Sequence, residues 1–347
     1  MTSSNKEKTV LVTGGTGFAG VHCILQLLNA GYKVKTTLRS LQRKQEVIGM
    51  LRHGGATATD NVSFIVTDLS NDANWDLAAE NCEYVLHVAS PILLTIPKHE
   101  DEVIRPAVEG TLRVLKAAKN AGVKRVVLTS SFGAVGYSHT DASKPITEED
   151  WTNPNDKHLS AYLKSKTLAE KAAWDFITRQ GNGLELAVIN PVAIFGPTLG
   201  PDMSTGFEIL RRLLNGSMKA IPNITFGIVD VRDVADLHIR AMTNPAAKGQ
   251  RFLAVAGETM QLPEVAALIK NKMGAVAQKV PTRTLPDWVV RIAALFSPVA
   301  KNIAPQLSRN KKTSNQKAKT LLGWQPRCNE EAILSAVKSM VEFGLIK

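Results

Sequence analysis

Apolar and polar positions in the first two-thirds of the chain fall into two alternating rhythms. Short runs rich in β-branched residues predict strands at KTVLVT (8–13), YKVKTTL (32–38), NVSFIV (61–66), YVLHVA (84–89), RVVLTS (125–130) and LELAVI (184–189). Between them apolar positions recur at helical spacing, over the longest stretches at 102–121 and 158–180. Pro106 is expected near a helix start or at a kink, because it has no N–H to donate. Strands alternating with helices predict parallel pairing through crossover helices, the α/β class, with a doubly wound sheet. Beyond Pro191 the rhythm changes: glycine and proline recur through NPVAIFGPTLGP. Helices are predicted near 204–215, 231–243, 261–273, 286–296 and 329–343, with only short strands between. The expected organisation is a parallel-sheet domain over 1–190 and a smaller, mostly helical lobe over 191–347, some of whose segments return to the first domain.

Composition narrows the class. With 44% hydrophobic and 21% charged residues in 347, the chain can bury a large core. No apolar run approaches the roughly 20 residues that span a bilayer, and MTSSNKEK leads straight into a strand, so a cytoplasmic protein without membrane contact is expected. Cys23, Cys82 and Cys328 stand far apart and suggest small buried residues, with neither a disulfide framework nor a metal site. The net charge of +11 is largely local: no carboxylate stands between Asp287 and Glu330, while Arg291, Lys301, Arg309, Lys311, Lys312, Lys317, Lys319 and Arg327 do. No aromatic residue interrupts the cations from Lys301 to Lys319, so a solvated face or loop is expected there, not a nucleic-acid surface.

The first strand runs into VTGGTGFAG. Gly14, Gly17 and Gly20, with Thr16 and Phe18 in the same turn, stand between a buried strand and an amphipathic helix. Glycines at that place permit a tight turn, close approach of backbone to a pyrophosphate, and helix–sheet packing, while the helix N-terminus attracts anions. The spacing is GxxGxxG, so it fits the general dinucleotide fingerprint loosely; its position after the first strand carries the argument. From Lys8 through Gln45 there is no Asp or Glu, and Arg39, followed by Arg43 and Lys44, stands at the end of the second strand. A guanidinium there suits a 2′-phosphate, which predicts NADPH over NADH. Asp68 and Leu69 after the third strand are candidates for the adenine, and Val88, Ala89 and Ser90 after the fourth for the adjoining ribose.

SAYLKSK places Tyr162 and Lys166 four residues apart on a predicted helix, hence on one face. An ammonium beside a phenol favours the phenolate, which lets the hydroxyl serve as an acid nearer neutrality. VVLTSSFGAVG ends the fifth strand with two serines, where a hydroxyl can hold a carbonyl oxygen. Neither serine sits in a GxSxG elbow, which argues against a hydrolase nucleophile. Serine, tyrosine and lysine together make a carbonyl-reducing set.

With VTGGTGFAG, HVASP, TSSFGAVG, YLKSK, INPVAIFGP, VDVRDVADLH and LLGWQPR in this order, the chain resembles the extended short-chain dehydrogenase/reductases along nearly its whole length. Within them it is most similar to the dihydroflavonol reductase, cinnamoyl reductase and microbial aldehyde or ketone reductase branch. The resemblance implies a catalytic Ser131, chosen over Ser130 as the last polar residue before the small-residue turn, with Tyr162 as proton donor and Lys166 on the nicotinamide ribose. It also implies Pro191 and Val192 at the nicotinamide, with Ser204 a further candidate. One departure is Glu109, where many relatives carry asparagine, which places an asparagine-linked proton relay in doubt.

The expected function is NADPH-dependent reduction of a small-molecule aldehyde or ketone by a monomer or homodimer. The alternatives are a nucleotide-sugar epimerase or dehydratase or a sterol-type alcohol dehydrogenase on the same scaffold, and a dinucleotide sensor without chemistry. Ile92, Leu93, Phe132, Phe195, Met203 and Phe207 are the candidates for an apolar substrate pocket. The seven histidines show no metal-ligand spacing, and His87, inside an apolar strand, is expected to be structural. VDVRDVADLHIRAM reads as a capped helix that packs domains together.

Overall fold

The computed structural model describes residues 5–91, 97, 99–141, 143–157, 159–201, 206–296, 307 and 312–346. Six strands form where the β-branched runs predict them: β1 (Thr9–Thr13), β2 (Lys33–Leu38), β3 (Val62–Val66), β4 (Tyr84–His87), β5 (Arg125–Thr129) and β6 (Glu185–Pro191). A seventh, Arg251–Ala254, pairs in parallel with β6 and forms the sheet's edge. The spatial order is Arg251–Ala254, β6, β5, β4, β1, β2, β3, with every pair parallel. The order reverses between β1 and β4, and the crevice at the carboxyl ends of these two strands is where an open parallel sheet binds its ligands.

Helices α1 (Phe18–Asn29), α2 (Lys44–His53), α3 (Trp75–Ala79), α4 (Asp101–Asn120) and α5 (Ala161–Gln180) make the crossovers. Pro106 lies in the second turn of α4. The sheet is buried on both sides: Val10, Val12 and Val34 face one core with Ile24, Leu27 and Leu51, while Leu11, Val85 and Val126 face another with Leu115 and Phe176. This two-sided burial explains why the strands read as near-continuous apolar runs.

Among the described residues the second lobe carries helices α6 (Phe207–Leu214), α8 (Leu262–Lys272), α9 (Asp287–Ala293) and Asn329–Glu342, with three two-stranded ribbons. One of these pairs Ala193–Phe195 with Ile228–Asp230, and another pairs Thr225–Phe226 with Met260–Gln261. Its core joins Phe195, Phe207, Leu210, Leu262, Ile333 and Met340. Helix α7 (Val231–Thr243) packs on α1. Asp230 caps it by accepting from the Arg232 N–H at 2.8 Å, and Asp233 receives the Arg327 guanidinium and its N–H. Of the three cysteines, Cys23 and Cys82 are buried and burial pushes their thiols up, to about 12 and about 11. Cys328, expected to be buried, is instead exposed, because it stands at the surface just before the helix Asn329–Glu342.

Candidate active site

The turn after β1 is held by backbone. Gly14 has φ of +76°, and its N–H donates to the Thr37 hydroxyl at 3.0 Å. A Cβ on Gly20 would lie 2.3 Å from the Gly14 carbonyl oxygen, so α1 can start this close to β1 only with glycine there. No side chain caps the N-terminus of α1, and its first turn holds no acid, which leaves its N–H groups to face an anion. Thr13 links the two sides of the crevice: its hydroxyl meets His87 Nδ1 at 2.9 Å and accepts from the Ala89 N–H at 3.0 Å. Thr16 is half-buried and Gly17 exposed; Phe18 packs edge-on against Phe207, ring centroids 5.0 Å apart.

At the far end of the crevice Arg39 is exposed just past β2. Asp68 accepts the Ser70 N–H at 2.8 Å and its hydroxyl at 2.7 Å; these bonds, with Arg39 and Arg113 nearby, hold its carboxyl below the usual carboxylate range. Leu69 is half-buried beside Gly110. Arg43 is clamped by both oxygens of Glu46 at 2.6 and 2.8 Å, and the Lys44 ammonium lies 5.5 Å from the centre of the Phe64 ring. Of the three cations after β2, the structure thus engages two with neighbours in the chain.

Tyr162 and Lys166 lie in the first two turns of α5, which Ser160 caps. The Lys166 ammonium donates to Ser90 Oγ at 2.9 Å and stands 5.8 Å from the centre of the Tyr162 ring. Val88 and Ala89 lead to that serine and are half-buried. The two serines after β5 point to different places. Ser130 is buried and donates to Glu170 at 2.5 Å. Ser131 opens on a cavity and accepts the Gly133 N–H at 3.0 Å, so its own hydroxyl proton remains for an acceptor in that space.

The cavity measures about 400 Å³. Ser131, Phe132, Tyr162, Pro191, Val192 and Phe195 line it from the predicted set. Phe207 does not: it is fully buried in the lobe core against Phe18. Ile92, Leu93, Met203 and Ser204 lie outside the described residues. Tyr137, Ile209, Ile224, Thr225, Phe226 and Thr259 also line the cavity and carry no local sequence signal, since they come from a turn, a helix and a ribbon far apart in the chain. No lining residue among those described is charged. Burial, and Tyr162 beside it, raise the Tyr137 phenol above its ordinary value. Glu109 lies on the outer face of α4, held by Arg105 and Arg113 at 3.8 and 3.4 Å.

His22, His87 and His238 are buried, and burial lowers them to about 4, about 3 and about 4; the Lys166 charge adds to the effect on His87. His87 is thus a neutral partner of Thr13. Among the described residues no cluster of three His, Cys, Asp or Glu could hold a metal ion. Nor is any helix among them long and apolar enough to cross a membrane.

Comparison with known proteins places the chain in a family. The chain is 36% identical over 258 residues to cinnamoyl-CoA reductase CAD2 of Medicago truncatula, covering 73% of this chain and 78% of that one. It is 34% identical over 301 residues to ketoreductase azaE of Aspergillus niger, covering 81% and 87%. The crystal structure of yeast methylglyoxal/isovaleraldehyde reductase Gre2 complexed with NADPH superposes with a TM-score of 0.79 at 28% identity, covering 97% of this chain and 99% of that one. The model of the NAD dependent epimerase/dehydratase family matches residues 10–256, from β1 to the end of the edge strand. The chain therefore belongs to the NAD dependent epimerase/dehydratase family, the extended short-chain dehydrogenase/reductases.

Proposed function

We propose that the chain is an NADPH-dependent carbonyl reductase that converts an aldehyde or ketone to the alcohol, with Tyr162 as the proton donor. One observation carries this reading: Ser131 and Tyr162 line the same uncharged cavity at the carboxyl edge of the sheet, and Lys166 stands one helical turn from the phenol. The residues fit a dinucleotide with a 2′-phosphate. The glycine turn has no room for a Cβ at Gly20, the N-terminus of α1 is free of side-chain caps, and Arg39 is exposed where a carboxylate would otherwise select NADH. The reductase names of the relatives, and NADPH in the yeast structure, support the same cofactor.

Bound NADPH supplies the hydride. Ser131 donates its hydroxyl proton in a hydrogen bond to the carbonyl oxygen, and Tyr162 transfers its own proton to that oxygen as negative charge develops. Lys166 is held by Ser90, so its charge is fixed beside the phenol and stabilises the oxygen that has lost its proton. The cavity walls are aromatic and aliphatic apart from serine, tyrosine and threonine hydroxyls, which suits an uncharged carbonyl substrate.

The direct test is NADPH oxidation over a panel of aldehydes, aryl ketones, keto esters and flavonoid ketones. Turnover of at least one class is expected. NADPH binding without carbonyl-dependent oxidation on any of them would favour a sensor. Arg39→Ala is expected to lower kcat/KM with NADPH by about 10–100-fold, the worth of one charge-assisted phosphate contact, and to leave NADH kinetics nearly unchanged. Equal loss with both cofactors would remove Arg39 from the phosphate site.

Gly20→Ala should weaken NADPH binding by about 10–100-fold. Its Cβ would meet backbone, which cannot yield without moving the turn, and such overpacking costs about 1–3 kcal/mol. Fluorescence titration of the nicotinamide reads this directly, and wild-type affinity would show that the turn does not contact the cofactor.

A further inference from the structure

Glu170 is 1% exposed, lies four residues beyond Lys166 on α5, and is absent from the mechanism above. Its carboxylate gathers donors from four places. Oε2 accepts from Ser130 Oγ at 2.5 Å and from Asn190 Nδ2 at 2.7 Å; Oε1 accepts from Arg251 Nε at 2.6 Å and from Trp174 Nε1 at 3.4 Å. Three of these partners stand next to the proposed machinery or on the sheet edge beside it. Ser130 precedes Ser131. Asn190 precedes Pro191 and also donates to the Ser131 carbonyl oxygen at 3.2 Å. Arg251 opens the edge strand and continues to the Glu148 and Asp150 carbonyls at 2.7 and 2.9 Å. Lys166 and Glu170 also line a common cavity of about 20 Å³ with His87, Ser90 and Ser130.

Packing α5 on the sheet would need only apolar contacts, and a fully buried carboxylate is costly unless every lone pair is used. Here they are used to tie the ends of β5 and β6 to the helix that carries Tyr162 and Lys166. We infer that Glu170 is a positioning residue: through Ser130 and Asn190 it sets the place of Ser131 and Pro191 relative to Tyr162 and Lys166. The inference rests on the catalytic reading of those residues given above.

Glutamine at 170 keeps the shape but offers one acceptor oxygen, so either the Ser130–Asn190 pair or Arg251 faces an amide N–H. The experiment measures kcat, KM, NADPH affinity and Tm for Glu170→Gln, Ser130→Ala and Glu170→Gln/Arg251→Met, with Tyr162→Phe as the reference, all assayed well below Tm. Glu170→Gln is expected to lower kcat about 100-fold with NADPH affinity within twofold, since small displacements of reacting groups cost that much. Ser130→Ala keeps the Glu170–Arg251 ion pair and should lose about tenfold in kcat, with a smaller fall in Tm than Glu170→Gln. The double variant, which removes the unpaired cation, should regain Tm over Glu170→Gln without regaining kcat. Wild-type kcat in Glu170→Gln or in Ser130→Ala, or a kcat that returns together with Tm in the double variant, would overturn the inference. If Tyr162→Phe itself turns over normally, the catalytic reading fails instead, and the two failures are told apart.

Discussion

Replacing Tyr162 by phenylalanine is expected to lower kcat about 1,000-fold while leaving the Kd for NADPH within twofold. General acid catalysis by a positioned side chain contributes about 10²–10⁴, and the substitution deletes the acid while keeping the ring. The ring is 46% exposed and sits on no core, so the fold has little to lose. Lys166 keeps its bond to Ser90, and the glycine turn is held by Thr37 and not by Tyr162, so cofactor binding has no reason to change. Steady-state kinetics with the best substrate from the panel, together with a binding titration of the purified variant, measure both numbers. Turnover within threefold of wild type would move the proton donor elsewhere, and Tyr137, which lines the same cavity, would be examined next.

Acid should unfold this protein early. His22, His87 and His238 have folded-state values of about 4, about 3 and about 4 against an ordinary 6.5, because burial disfavours their charged forms. A lowered value means that the folded chain refuses protons the unfolded chain accepts. The stability this represents is complete above pH 6.5 and drains as pH falls toward 4. Each histidine accounts for roughly 3 kcal/mol over that window, and the three together rival the 5–15 kcal/mol stability of an ordinary domain. Glu148 and Asp233 act in the opposite sense. Burial raises both carboxyls, so they bind protons more readily folded than unfolded, and the offset is confined to the lower, carboxylate part of the range. Urea midpoints between pH 7 and 4.5 should therefore fall steeply, with proton uptake on unfolding approaching three. His238→Asn should reduce that uptake by about one. A midpoint that stays flat from pH 7 to 5 would mean that these imidazoles ionise inside the fold.

Local order was legible in the sequence wherever one element suffices to create it. β1 to β6 follow from β-branched runs buried on both faces, and the glycine turn from a strand, three small residues and a helix in succession. Tyr162 and Lys166 share a face because four residues make about one helical turn, whatever surrounds them. The edge strand Arg251–Ala254 was not legible. It is four residues long and opens on an arginine, which becomes a reasonable buried residue only when Glu170, 81 positions earlier, accepts from it.

The two serines after β5 show the same division. On extended backbone neighbouring side chains point to opposite sides, so the sequence determined that Ser130 and Ser131 face apart. Only the tertiary structure decided which side holds the Glu170 network and which the cavity. Phe207 was placed in the pocket by its sequence neighbourhood, yet its helix turns it into the lobe core against Phe18, while Tyr137, Thr225 and Phe226 supply cavity wall instead. Chain connectivity and side-chain period therefore determine the elements and the pairing of near neighbours. A cavity between two lobes depends on contacts scattered over much of the chain, and no local pattern encodes where those will meet.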